Sequence, residues 1–202
     1  KKIICKKVIP ILYKMPRSKL DLDFYKHKII YKFSRAQIYT SISQFEYAKK
    51  QNIGDPIFLP IGIDTKFYNS KKFSYLKSFL LNKKYIVMHG DEERNNFELI
   101  KIADLLKIGI IRISQYKEKE NSKLSIYDIA SKYKNIKFLY HLQNVAFDDY
   151  IAILKNAYLY CGMVDSSVSP NGWTALCEAK ALGLPIILNK GLTSEDFKKF
   201  FK

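Results

Sequence analysis

The chain has 202 residues, 48% of them hydrophobic, and 35 lysines and arginines face 19 aspartates and glutamates for a formal net charge of +16. Such a composition buries a sizeable core, as one domain or as parts of two, and excludes a disordered chain. No apolar run approaches the roughly 20 residues that span a bilayer, and Lys6 and Lys7 break the N-terminal apolar stretch too early for a signal peptide, so a cytoplasmic protein is expected.

The cysteines, Cys5, Cys161 and Cys177, are odd in number, far apart and set among apolar neighbours. They read as reduced core residues, with no disulfide framework and no metal-ligand spacing. Lysines outnumber arginines and are spread along the whole chain, without an Arg-rich groove motif or an aromatic-spaced single-strand platform. Specific nucleic acid binding is therefore not expected. Peripheral contact with an anionic membrane, at its cytoplasmic face, is compatible with lysines that each add about 1 kcal/mol near such a surface.

In chain order, Ile3 to Leu12 reads as a strand and Pro16 to Leu20 as a loop. Asp21 to Arg35 reads as a helix carrying Leu22, Tyr25, Ile29, Ile30 and Phe33. Ala36 to Ser41 is a short strand, and Ser43 is placed to cap a helix reaching about Gln51. Asp55 and Pro56 mark a turn before the strand Ile57 to Leu59, and Pro60 to Asp64 is a loop. Asn69 to Lys84 is lysine-rich without a clear strand and reads as a linker.

The alternation then restarts. Strands are predicted over Tyr85 to Met88, Ile108 to Ile113, Ile136 to Tyr140, Tyr158 to Met163 and Ile186 to Leu188. The helices between them run over Phe97 to Lys107, Leu124 to Tyr133, Asp148 to Lys155 and Trp173 to Leu182, and a charged surface loop covers Tyr116 to Lys123. In the first of these helices Ile100, Ala103 and Leu106 face inward. Strands alternating with helices imply α/β architecture with parallel sheets. Ligands in such sheets lie at the carboxyl ends of the strands, which nominates the loops His89 to Asn95, Ser114 to Gln115, His141 to Asn144 and Asp165 to Trp173. Both chain ends read as cut, since a strand opens the chain and the capping box at Thr193 and Asp196 leads into barely two helical turns.

The most informative stretch is Ser169 to Leu188, SPNGWTALCEAKALGLPIIL. A polar loop leads into a short helix with Ala175, Ala179 and Leu182 on one face, stopped by Gly183 and Pro185. The apolar run Ile186 to Leu188 suits a strand covered on both faces. A tight loop followed by a helix N-terminus is an anion site, and phosphate is the obvious ligand.

Three places resemble one family. Ile38 to Ser43 with Ile57 to Asp64 and Phe67 is similar to the junction "vitvS … ipnGiD..F". Asn135 to Ala157, NIKFLYHLQNVAFDDYIAILKNA, is similar to "nV.flG.v....l..ly..A". The stretch GWTALCEAKALGLPII is similar to "EGfg..llEAmA.G.Pvi". In this order they resemble the glycosyltransferases of family 4, also called group 1, whose GT-B fold has two facing Rossmann-like domains. The resemblance implies that residues 1–68 close the acceptor domain, that 69–84 link, and that 85–202 form the nucleotide-sugar-binding domain. The first domain, and the last helix of the second, would be truncated.

The same resemblance implies a retaining glycosyltransferase that moves a sugar from a UDP- or GDP-sugar to a glycan or lipid-linked hydroxyl, with no required cofactor and no metal. Glu178 matches the second glutamate of the E-x7-E motif, which holds the donor ribose. Asn171, Gly172, Trp173 and Thr174 match the loop that approaches the diphosphate, and Arg94 takes the arginine role beside it. His141 falls in the loop near the nucleotide base. The sequence departs from the family where Pro170 stands for the first glutamate of E-x7-E, where Asn95 stands for a lysine, and where Tyr140 stands for a glycine. Those departures suit an alternative, a catalytically degenerate sugar-nucleotide-binding or scaffold domain of the same fold. A third reading is a basic α/β module for anionic polymers.

Overall fold

The computed structural model describes residues 11–12, 29, 36–68, 80, 82–90, 94–114, 125–163, 172–190 and 197–199. Readings that rest on Cys5, most of the helix over 21–35, the linker 69–79, the loop 116–123, Pro170, Asn171 and the capping box at Thr193 lie outside them. The described residues fall into two compact units, 11–61 with 190 and 197–199, and 62–163 with 172–189.

In the first unit three strands, β1 (Ile11–Leu12), β2 (Gln37–Tyr39) and β3 (Pro56–Phe58), pair in parallel in the order β1-β2-β3. Helix α1 (Ile42–Lys50) connects β2 to β3 and packs Ala48 against Tyr39 and Ile53. Its cap is Ser41, whose Oγ accepts from the Gln44 N–H at 3.3 Å, not Ser43. Ser41 has the extended backbone that an N-cap requires, whereas Ser43 is already inside the helix. Pro56 opens β3 instead of belonging to the turn before it, a strand position where its missing N–H costs no ladder bond. Lys199 pairs with Glu46 of α1 at 3.4 Å.

The second unit begins with the short helix α2 (Thr65–Tyr68). There follow β4 (Tyr85–His89), α3 (Asn96–Leu106), β5 (Gly109–Ser114), α4 (Ile126–Ala130), β6 (Leu139–Gln143), α5 (Phe147–Lys155), β7 (Leu159–Gly162), α6 (Trp173–Ala181) and β8 (Ile186–Leu188). All five strands pair in parallel in the order β6-β5-β4-β7-β8. This is the Rossmann arrangement, in which the strand order reverses between β4 and β7.

Alternation along the strands builds two buried layers. Ile86 and Met88 of β4, Ile110 of β5, and Leu159 and Cys161 of β7 join Leu99, Ile100, Ala103 and Ile126 in one core. Tyr85 turns to the other face, where its hydroxyl donates to the Ile153 carbonyl of α5 at 2.9 Å. Cys161 and Cys177 are buried free thiols.

Helices α3 and α4 start at side-chain caps. Asn95 caps α3, its Oδ1 accepting from the Glu98 N–H at 2.9 Å. Ser125 and Asp128 form a capping box on α4, with the Ser125 hydroxyl and backbone N–H holding the Asp128 carboxyl below its usual range. That box starts α4 at Ile126, and the helix is shorter than the 124–133 reading.

Three further expectations are corrected. The strand predicted over 136–140 is formed by 139–143. Lys137 N–H is taken by the Ile108 carbonyl and Asn135 N–H by Asp104, so the apolar run begins before the ladder does. Leu106 is 38% exposed, because α3 ends there and turns away through Lys107 in the left-handed region. Finally, β8 is an edge strand of intermediate burial among the described residues, not a strand covered on both faces.

Candidate functional site

The reversal point brings together the carboxyl ends of β4 and β7, where a parallel sheet leaves a crevice for ligands. The Asn95 N–H bonds the Met163 carbonyl at 3.2 Å, tying the segment that enters α3 to the end of β7. Beside it the Arg94 guanidinium is held by Nε, which donates to the His89 carbonyl at 2.8 Å. Gly90 and Gly172 flank the guanidinium at positive φ (118° and 82°). A Cβ on Gly90 would collide with it, and one on Gly172 would lie 2.7 Å from Nη2. Nη1 of Arg94 is buried and has no hydrogen-bond partner among the described residues. The two places that the sequence nominated separately, Arg94 and the Gly172 loop, are thus one place.

Helix α6 starts at Gly172 without a side-chain cap. Trp173 is buried in its first turn and Thr174 is exposed. A helix N-terminus beside a guanidinium concentrates positive potential where an anion can approach. A second guanidinium reinforces it, since Arg112 of β5 is buried and donates from Nε to Asn96 Oδ1 at 3.3 Å and from Nη1 to the Ile113 carbonyl at 2.6 Å. Sequence reasoning passed over Arg112, although a cation in the apolar run 108–113 was a usable signal.

Glu178 is the sixth residue of α6, about 9 Å along the helix axis from Gly172. The residue is 6% exposed, and its carboxylate accepts two short bonds, from the Tyr68 hydroxyl to Oε1 at 2.9 Å and from the Tyr150 hydroxyl to Oε2 at 2.6 Å. The His89 ring packs on Tyr150 with centroids 4.7 Å apart. Burial, with Glu178 as acceptor, pushes the Tyr68 hydroxyl up to about 12, and burial raises Tyr150 well above its ordinary value. Both phenols stay protonated at neutral pH and remain donors to the carboxylate. Tyr160 is also pushed up to about 12 by burial, against the opposing charges of Arg94 and Arg112. The tyrosine partners of Glu178 lie 110 and 28 residues away in the chain, which left no local sign of them in the sequence.

His141 lies within β6, not in a loop, because the strand runs three residues further than its predicted end. Its Nε2 is 2.7 Å from Ser114 Oγ on the neighbouring strand, and its backbone N–H reaches the Tyr127 hydroxyl at 3.3 Å. Asn171 lies outside the described residues.

No protein-family model matches the sequence, and no curated protein matches it. Solved structures do. AviGT4, a glycosyltransferase involved in avilamycin A biosynthesis, is similar to 79% of this chain with a TM-score of 0.55 and 18% identity. Sucrose-phosphate synthase from Thermosynechococcus elongatus is similar to 87% of it with a TM-score of 0.58 and 16% identity. The likeness is one of fold. It places this chain with Rossmann-like α/β proteins of parallel sheets, as the alternation of strands and helices required. The chain spans 46% and 47% of those two structures.

Proposed function

We propose that the chain carries the donor half of a retaining glycosyltransferase, which moves a sugar from a UDP- or GDP-sugar to a glycan or lipid-linked hydroxyl. The observation that carries this reading is the Arg94 guanidinium, seated between Gly90 and Gly172 at the strand-order reversal, with Nη1 buried and without a hydrogen-bond partner among the described residues. A diphosphate oxygen supplies the missing acceptor, and a charge-assisted bond of this kind is about twice as strong as a neutral one. The backbone of Gly172 to Thr174 adds donors at the helix start, and Arg112 raises the local potential. In the reaction the bond from the sugar anomeric carbon to the diphosphate breaks, the acceptor oxygen bonds to that carbon on the same face, and the acceptor proton leaves with the diphosphate. Arg94 stabilises the charge that develops on the leaving oxygen. Glu178 holds the donor ribose through lone pairs that the tyrosines leave over, since each carboxylate oxygen has two.

Calorimetry with UDP and GDP tests the reading. Arg94→Met should weaken nucleotide binding by about a hundredfold, as expected for a desolvated guanidinium–phosphate bond. Unchanged affinity in that variant would overturn the assignment. The second reading, a binding domain without catalysis, is favoured by Asn95, which is committed to capping α3, and by the engagement of both Glu178 oxygens. Nucleotide affinity with no release of UDP or GDP from their sugars would select it.

A further inference from the structure

The fold gathers lysines that look scattered in the sequence. In the second unit the turns that feed the amino ends of the strands are stitched side by side: Gly109 N–H to the Lys84 carbonyl at 3.0 Å, Tyr158 N–H to the Tyr85 carbonyl at 2.9 Å, and Lys137 N–H to the Ile108 carbonyl at 3.2 Å. Lys83, Lys84, Lys107, Lys132, Lys134 and Lys137 are all exposed on this rim. Among the described residues these turns contain no carboxylate, and Asp104 beside them accepts from the Asn135 N–H at 2.9 Å. Glu98, Asp148 and Asp149 occupy the first turns of α3 and α5, at the other end of the sheet, whereas Asp128 of the five-residue α4 lies near enough to Lys132 to feel its charge.

Apolar side chains stand among these cations. Leu105 is 80% exposed, Leu106 38% and Tyr158 51%, with Lys84 Nζ 5.8 Å from the Tyr158 ring centroid. We propose that this rim docks peripherally on an anionic lipid surface. Lysine ammoniums attract acidic headgroups, while leucine and tyrosine gain by entering the boundary between headgroups and acyl chains. A phosphodiester backbone would reward the lysines and leave the leucines in water, and a second copy of so basic a rim would repel the first. The inference does not depend on the donor reading, because the Arg94 site lies at the carboxyl ends of the same strands, away from the rim.

The test is co-sedimentation of the chain with vesicles of phosphatidylcholine alone and of phosphatidylcholine mixed two to one with phosphatidylglycerol. Binding is expected to the mixed vesicles only and to fall as salt rises. The combined Lys107→Glu, Lys134→Glu and Lys137→Glu variant should bind the mixed vesicles roughly a hundredfold less well, at about fivefold per lysine. Leu105→Ser should weaken binding several-fold while keeping the salt dependence. Both variants change exposed side chains, and an unaltered circular dichroism melt confirms that they fold. No binding to the mixed vesicles, binding that survives the triple reversal, or capture of polyuridylate RNA in preference to the vesicles would each overturn the proposal.

Discussion

At Glu178 a single carboxylate meets two phenols, one from α2 and one from α5, and each oxygen receives one bond. Because the site is buried, deleting a donor leaves a charged acceptor short of a partner. Tyr150→Phe should therefore lower the unfolding free energy by about 1–3 kcal/mol in urea titration, and Tyr68→Phe by a similar or smaller amount. The double variant should differ from the sum, since the two hydroxyls share one carboxylate. The family resemblance nominated Glu178, Arg94 and Gly172, and the loop-to-helix pattern around Gly172 pointed to the same stretch. It offered no sign of the tyrosines, because a hydrogen bond across 110 residues leaves no spacing in the chain to detect. His141 shows the converse: a strand edge misjudged by three residues changed the neighbours assigned to it, and the ladder placed it against Ser114.

At the scale of elements, most boundaries follow from capping chemistry that is local and hence readable. Ser125→Ala should cost about 1 kcal/mol, seen as a lower urea midpoint, because it removes one acceptor at the start of α4 and half of a capping box. The two glycines that bracket α6 separate backbone strain from function. Gly183 has φ +73° and open space where a Cβ would sit, so Gly183→Ala should cost about 1 kcal/mol of stability from left-handed strain and leave nucleotide affinity unchanged. Gly172 has φ +82° and the Arg94 guanidinium beside it, so Gly172→Ala should cost a similar amount and also weaken UDP or GDP binding, as calorimetry would show. Strand limits were less legible than helix starts. The strand read over 136–140 lies three residues too early, because pairing with β5 selected 139–143.

For the whole molecule, the buried phenols and thiols make alkaline pH the vulnerable side. Cys161 is pushed by burial from 9 to about 12, Cys177 from 9 to about 11, and Tyr68 and Tyr160 from 10 to about 12. Between the lower and upper value of each group the unfolded chain has lost a proton that the native state keeps, so unfolding is favoured as pH rises. Stability should be flat just below pH 9 and fall from there to about 12, measured as urea midpoints under reducing conditions; a flat profile through that window would contradict the burial of these groups. The lysine rim belongs to this scale too, because separate turns become one surface only when the sheet aligns them. The sequence by itself determined the α/β class, the alternation of elements and the helix that begins after Gly172, since hydrophobic period, caps and glycine punctuation act over a few residues. Only the tertiary structure decided the strand order, the seat of Arg94 between two glycines, the tyrosine clamp on Glu178 and the basic rim, since each depends on residues far apart in the chain meeting through the packing of a sheet.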